Sequence, residues 1–164
     1  MAAVGPMDRA YQALAEELQR RLRAGGVLGQ TEVLEVDPEA AFEPNGEEGE
    51  LVTAASLFQV ETRQVRALLG APRPIYVVER ECRLELACAG PPSRRRERLE
   101  TFAIGLASCA AVIAEDPTLD TACERLELLN RLDQDLPPNG TAAILGFVLR
   151  VRAGDPIGLT EQPQ

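Results

Sequence analysis

Pro137-Pro138-Asn139-Gly140 is a strong turn signal, and behind it runs Thr141 to Arg152, whose odd positions Ala143, Leu145, Phe147, Leu149 and Val151 are all apolar. Period-two patterning over that length predicts a strand of about 40 Å at roughly 3.3 Å per residue. So long a strand needs a neighbour, and the nearest is the segment just before the turn. From Cys123 to Asp133 the pattern reads two ways: Leu126, Leu129 and Leu132 suit a helix, whereas Leu126, Leu128 and Leu132 suit a strand face. Position decides for a strand, giving a closing β-hairpin.

A second long strand is predicted from about Pro74 to Ala89. In its second half Cys82, Leu84, Leu86 and Cys88 are apolar, and Glu81, Arg83 and Glu85 fall on the other face. In its first half Ile75, Tyr76, Val77 and Val78 make both faces apolar, as where a strand is covered on both sides or reaches a subunit contact. Two helices flank these strands. Tyr11, Leu14, Leu18 and Leu22 form one stripe of an amphipathic helix from Met7 to Ala24, stopped by Gly25-Gly26. Leu99, Phe102, Leu106, Ala110 and Ile113 form the stripe of another, from near Ser93 to Glu115, with Asp116-Pro117 closing it. Weaker signals predict a short strand at Glu32–Val36, a strand at Leu51–Glu61, a short helix at Thr62–Leu69 and an extended tail from Gly154.

With 164 residues the chain suits one domain. The order of elements predicts an α+β sandwich, a mainly antiparallel sheet with two principal helices on one face. Residues 1–6 then form an N-terminal extension, 7–153 the domain, and 154–164 a C-terminal tail.

Composition narrows the chemistry. The chain has no histidine, and all 17 of its basic residues are arginine. It therefore lacks a Ser-His or Cys-His relay, an HExxH zinc site, a Schiff-base amine and a phosphate-binding lysine. No cofactor or metal is expected: Cys82, Cys88, Cys109 and Cys123 lack metal-ligand spacing and read as small, reduced, buried hydrophobes. No apolar run approaches the roughly 20 residues of a membrane span, and Met1 to Gly5 lacks the pattern of a signal peptide, so synthesis in the cytoplasm is expected. A formal charge of -9 argues against sequence-tolerant binding of nucleic acid.

Two charge features stand out. From Glu32 to Glu50 every charged residue is a carboxylate, Glu43, Glu47, Glu48 and Glu50 among them, around the turn signal Pro44-Asn45-Gly46. Conversely, Arg94, Arg95, Arg96 and Arg98 crowd the first turn of the second helix, where they oppose its dipole. An acidic partner surface would explain that misfit.

The order of elements resembles the tail terminator (tail completion, tail-to-head joining) proteins of long-tailed bacteriophages and of gene transfer agents. The likeness lies in the opening helix, the strand Ile75–Cys88, the helix Leu99–Ile113 followed by Asp116-Pro117-Thr118-Leu119-Asp120, and the closing hairpin ending in Gly154-Asp155-Pro156. It implies a virion protein at the head-proximal end of the tail, assembled in the host cytoplasm. Six copies form a ring on the last ring of tail tube protein and dock the neck (connector) protein, with double-stranded DNA passing through unbound. Under that implication Ile75, Tyr76, Val77 and Val78, with the four arginines, are candidates for subunit or tube contacts. Glu43, Glu47, Glu48 and Glu50 are candidates to border the lumen.

Two rival readings accompany it. In a carboxylate-dependent hydrolase Glu79, Glu81 and Glu85 would act from one strand face, although Arg83 between Glu81 and Glu85 favours a solvated charged surface. In a small adaptor the acidic stretch would dock a basic partner.

Overall fold

The computed structural model describes residues 5–39, 51–70, 73–136 and 140–162, with 134–136 described by backbone alone. Helix α1 (Pro6–Ala24) is followed by β1 (Glu35–Val36), β2 (Val52–Leu68) and β3 (Ile75–Ala89). A 3-10 turn (Pro92–Arg94), α2 (Arg95–Ala110) and the single turn α3 (Val112–Glu115) lead to β4 (Arg125–Leu136) and β5 (Gly140–Ala153). The sheet order is β1-β2-β3-β5-β4, antiparallel throughout except for β1 on β2. Both long helices pack on one face of the sheet, α1 against β5 and α2 against β3 and β5. This is the α+β architecture that the strand and helix patterns predict.

The core forms between that face and the helices. Leu145, Phe147, Leu149 and Val151 of β5 and Val78, Cys82, Leu84, Leu86 and Cys88 of β3 join Met7, Leu14, Leu18 and Leu22 of α1 in one buried cluster. Alternation on the strands and three-four spacing on the helix thus meet as one apolar layer. Arg80 interrupts the apolar series of β3, yet it is buried and satisfied. Its guanidinium donates to Thr62 Oγ1 (2.8 Å) and Asp8 Oδ1 (3.3 Å) and lies 5.3 Å from the centroid of the Tyr11 ring. The Tyr11 hydroxyl lies 3.2 Å from both the Leu57 carbonyl and Asp37 Oδ1, its two acceptors. These contacts tie α1 to β2 across the layer.

Several local expectations are corrected. Thr62–Leu69 is no helix: β2 continues as one strand to Leu68, with Leu68 opposite Ile75. Two bulges, at Gln59/Glu61 and Gln64/Arg66, reset its alternation and hide the strand period. The predicted strand at Glu32–Val36 shrinks to Glu35–Val36, because the backbone before it is held by α1 side chains instead of a strand: the Glu32 carbonyl accepts from Arg23 (2.7 Å) and the Leu34 N–H donates to Gln19 Oε1 (3.0 Å). The second helix starts as a 3-10 turn and breaks at Ala111. Its buried side is Arg98, Phe102, Gly105, Leu106, Cys109 and Val112 instead of a stripe through Leu99, Ala110 and Ile113. Gly105 accounts for the rotation, since a Cβ there would collide with the Val27 side chain.

The tail is not extended either. The Gly158 carbonyl accepts from the Met7 N–H (3.0 Å), Gly154 donates to the Thr160 carbonyl (2.7 Å), and Glu161 pairs with Arg9, so the segment folds back on the start of α1. The turn residues Pro137–Asn139 lie outside the described residues.

Phe147 has no exposed surface, and truncation to Ala should cost about 3–5 kcal/mol in a denaturant titration. The cysteines, all four free and buried, set a second test. Burial pushes the Cys82 and Cys109 thiols up to about 12, so the folded state holds them neutral. Their contribution is intact below about pH 8, where an unfolded thiol is still largely protonated, and is lost as the pH rises toward the folded value. Cys82→Ala should therefore flatten the fall of melting temperature with pH across that alkaline window.

Candidate functional site: the uncovered sheet face and its edges

Residues of β3 alternate between the helix-covered core and an opposite face on which no described helix packs. That open face is charged at its centre. Its cross-strand rows follow from register: Glu79 lies between Arg63 and Arg150, Glu81 between Glu61 and Val148, Arg83 between Phe58 and Gly146, and Glu85 between Ser56 and Ile144. Arg150 donates to Glu79 Oε1 (2.8 Å), Arg152 to Glu124 (2.9 Å), and Arg125 pairs with Glu127 (2.8 Å). Glu61 and Glu81 oppose each other as like charges, a pairing that costs stability and that Arg83, 3.8 Å from Glu81, partly offsets.

The three carboxylates considered for hydrolysis sit on this face, as their spacing predicts, but not as an acid-base pair. Glu79 is committed to Arg150, Glu81 lies 3.8 Å from Arg83, and Glu85 is exposed. The hollow between Glu61, Arg63, Glu79, Glu81, Leu129 and Val148 is about 50 Å³, far below the few hundred Å³ of a small-molecule site. A wider cleft of about 510 Å³ opens at the end of the sheet beside Arg9, Thr121, Cys123 and Arg152. Its thiol is a poor nucleophile: burial raises Cys123 to about 11. Among the described residues no group of His, Cys, Asp and Glu side chains is arranged to hold a metal ion. No described helix is long and apolar enough to cross a membrane.

The arginine cluster is largely answered within its own helix. Arg94 pairs with Glu97 (2.7 Å) and Arg96 with Glu100 (3.1 Å), Arg95 is exposed, and Arg98 is buried at 7 % exposure. Local ion pairs of this kind are worth about 0–1 kcal/mol each and soften the dipole misfit without any partner. The four-residue apolar run divides by parity: Tyr76 and Val78 belong to the core, while Val77, opposite Arg66 and Arg152 on the open face, is itself buried, and Ile75 is half-buried. Because β3 is paired on both sides, this run offers no free backbone. Glu43, Glu47, Glu48 and Glu50 lie outside the described residues.

Free backbone lies at the two edges instead. Among the described strands β4 bonds only to β5, and the outer side of β2 carries β1 only at Ser56 and Leu57. Asp37 ends that short pairing: its N–H donates to the Leu57 carbonyl (2.7 Å), and its Oδ1 accepts from the Gln59 N–H (3.0 Å). Beyond it the outer side of Gln59–Leu68 has no described strand beside it. Both edges carry exposed apolar side chains, Val60 and Val65 on β2 and Leu128, Leu129 and Leu132 on β4. Sequence reading missed this feature. The signal was present as apolar residues falling out of phase, with Val60, Val65 and Leu129 each sitting at a bulge.

No protein-family model and no curated protein matches the sequence. The local geometry makes one clear prediction. Asp37→Ala leaves the exposed Gln59 N–H to water and removes one of the two acceptors of Tyr11, so thermal unfolding should show a loss of about 0.5–1.5 kcal/mol, with faster amide exchange at Gln59.

Proposed function

We propose that the protein is a structural component with no chemistry of its own, a tail terminator that forms a six-membered ring at the head-proximal end of a virion tail. The ring caps the last ring of tail tube protein and offers its other side to the neck. The observation that carries this reading is a sheet with a charged face on which no described helix packs and with two opposite edges, β4 and Gln59–Leu68 of β2, that have no described strand beside them. Such edges are templates for pairing with a different patch of the next copy, and head-to-tail contacts of that kind close into a ring when the rotation permits. The helices, all on one face, would lie outside, and the bare face would border the passage. Glu79 held by Arg150, Glu81 beside Arg83 and an exposed Glu85 belong to such a surface better than to a hydrolase.

Passage of DNA calls for a wall that does not hold phosphate. Carboxylates repel it over a screening length of about 8–10 Å, and the acidic stretch that includes Glu43, Glu47, Glu48 and Glu50 suits that task. Replacing these four by Gln should leave tails normal and slow DNA ejection; unchanged ejection would remove them from the lumen.

Native mass measurement on the purified chain, alone and with tail tubes, tests the reading as a whole. A species of six copies, free or formed on tubes, is expected, and tails assembled without the protein should be irregular or overlong and fail to join heads. A stable single copy indifferent to tubes would favour an adaptor.

A further inference from the structure

We infer that in this ring the first part of β4 of one copy, Arg125–Leu132, pairs antiparallel with Glu61–Leu68 of β2 in the next, in the register that sets Glu127 opposite Arg66. The inference rests on the ring reading and adds the contact that closes it. Strand direction comes first. β2, β3, β5 and β4 alternate in direction, so the two edge strands of a copy run opposite ways. Copies related by rotation about an axis along the strands keep those directions, and β4 therefore meets the neighbouring β2 antiparallel. Pairing would satisfy the free backbone groups of both edges and cover Val60, Val65, Leu128, Leu129 and Leu132, which are 39–60 % exposed.

Register follows from charge and from what is already occupied. Glu79 links Arg63 of β2, through Arg150, to Arg125 of β4, and Glu81 links Glu61, through Val148, to Glu127. If neighbouring copies met flush along these rows, Arg125 would face Arg63 and Glu127 would face Glu61, like against like. Sliding β4 toward the β1 end of β2 drives it into Ser56 and Leu57, which β1 holds, and onto the Gln59 N–H, which Asp37 holds. Sliding it the other way by two rows sets Arg125 against Leu68, Glu127 against Arg66, Asn130 against Arg63 and Leu132 against Glu61. That register removes these like-charge contacts and pairs Arg125–Leu132 with Glu61–Leu68, and it requires the end of β4, from Asp133 on, to leave the edge before it reaches Gln59, Leu57 and Ser56.

Geometry agrees. A slide of two rows is roughly four residues per copy, and each copy supplies four long strands. Shear then equals strand number whatever the number of copies, the same ratio as in an eight-stranded barrel of shear eight, where strands tilt by about 36°. If the β3–α2–β4 connection has the right hand general to parallel crossovers and the helices lie outside, the slide runs in the direction in which twisted strands lean around a closed barrel.

Engineered cysteines read the register directly. Within one copy β2 and β4 are about three strand spacings, or roughly 14 Å, apart, too far for a disulfide, so any bridge between them joins two copies. Glu127→Cys combined with Arg66→Cys should give, under mild oxidation, a ladder of covalent multimers up to six. Its yield should be at least about fivefold that of Glu127→Cys combined with Glu61→Cys. Independently, Arg66→Glu should raise the protein concentration needed for half-assembly, and adding Glu127→Arg should restore it. Equal or reversed crosslinking overturns the register. Absence of crosslinks and of any charge effect while the unaltered protein forms rings overturns the edge contact and leaves the ring reading standing. An unaltered protein that stays single on tail tubes overturns both.

Discussion

The backbone of β3 is hydrogen-bonded on both sides along almost its whole length, to β2 from Ile75 to Ala89 and to β5 from Tyr76 to Ala89. A strand so placed has no polar main-chain group left for solvent, and its alternate side chains can then serve two surfaces at once. One surface receives α1 and α2 and becomes the core. The other keeps its charges. Everything proposed for the molecule follows from that division, because the described helices close one side of the sheet only and, among the described residues, no strand lies beyond β4 or beside most of β2.

Charge is answered both within elements and between them. Arg21 does both in the helical layer: it is buried, yet it reaches Glu17 (2.8 Å) on its own helix and Glu115 (2.7 Å) and the Ser108 carbonyl (3.0 Å) beyond it, fastening α1 to the end of the second helical segment. The hydrogen bonds of Arg20 and Arg21 hold the Glu17 carboxyl below its ordinary range. On the open face, by contrast, Glu79 and Arg150 meet only because two distant segments lie side by side. A net charge of -9 thus coexists with a sheet face where arginines and glutamates interleave.

The fold was legible wherever apolar periodicity ran uninterrupted. The α1 stripe, the alternation from Cys82 to Cys88 and the odd positions of β5 could be read directly, and they place the core correctly. The parts that were not legible share a physical cause. In β2 the extra residues near Val60 and Val65 shift phase, so a single strand imitates a strand followed by a helix. In α2 the choice between a stripe through Leu99 and one through Arg98 depends on how closely Gly105 approaches Val27, a tertiary fact absent from local pattern. The burial of Arg80 has no local signature, because its partners, Asp8 and Thr62, lie 72 and 18 positions away. The candidate site was harder still. Edges are defined by the absence of a neighbouring strand, and no residue announces that about itself.

The order of strands has one more consequence. β5 follows all the other strands in sequence, yet it occupies an interior place between β3 and β4, with Tyr76 facing Ala153. On the ribosome, β3 must wait with one flank open until β5 has emerged, and such distant pairings form slowly. A nascent chain of this topology is therefore most vulnerable to sticking to its siblings in the interval between the synthesis of those two strands, and translation pace across that interval becomes a determinant of soluble yield.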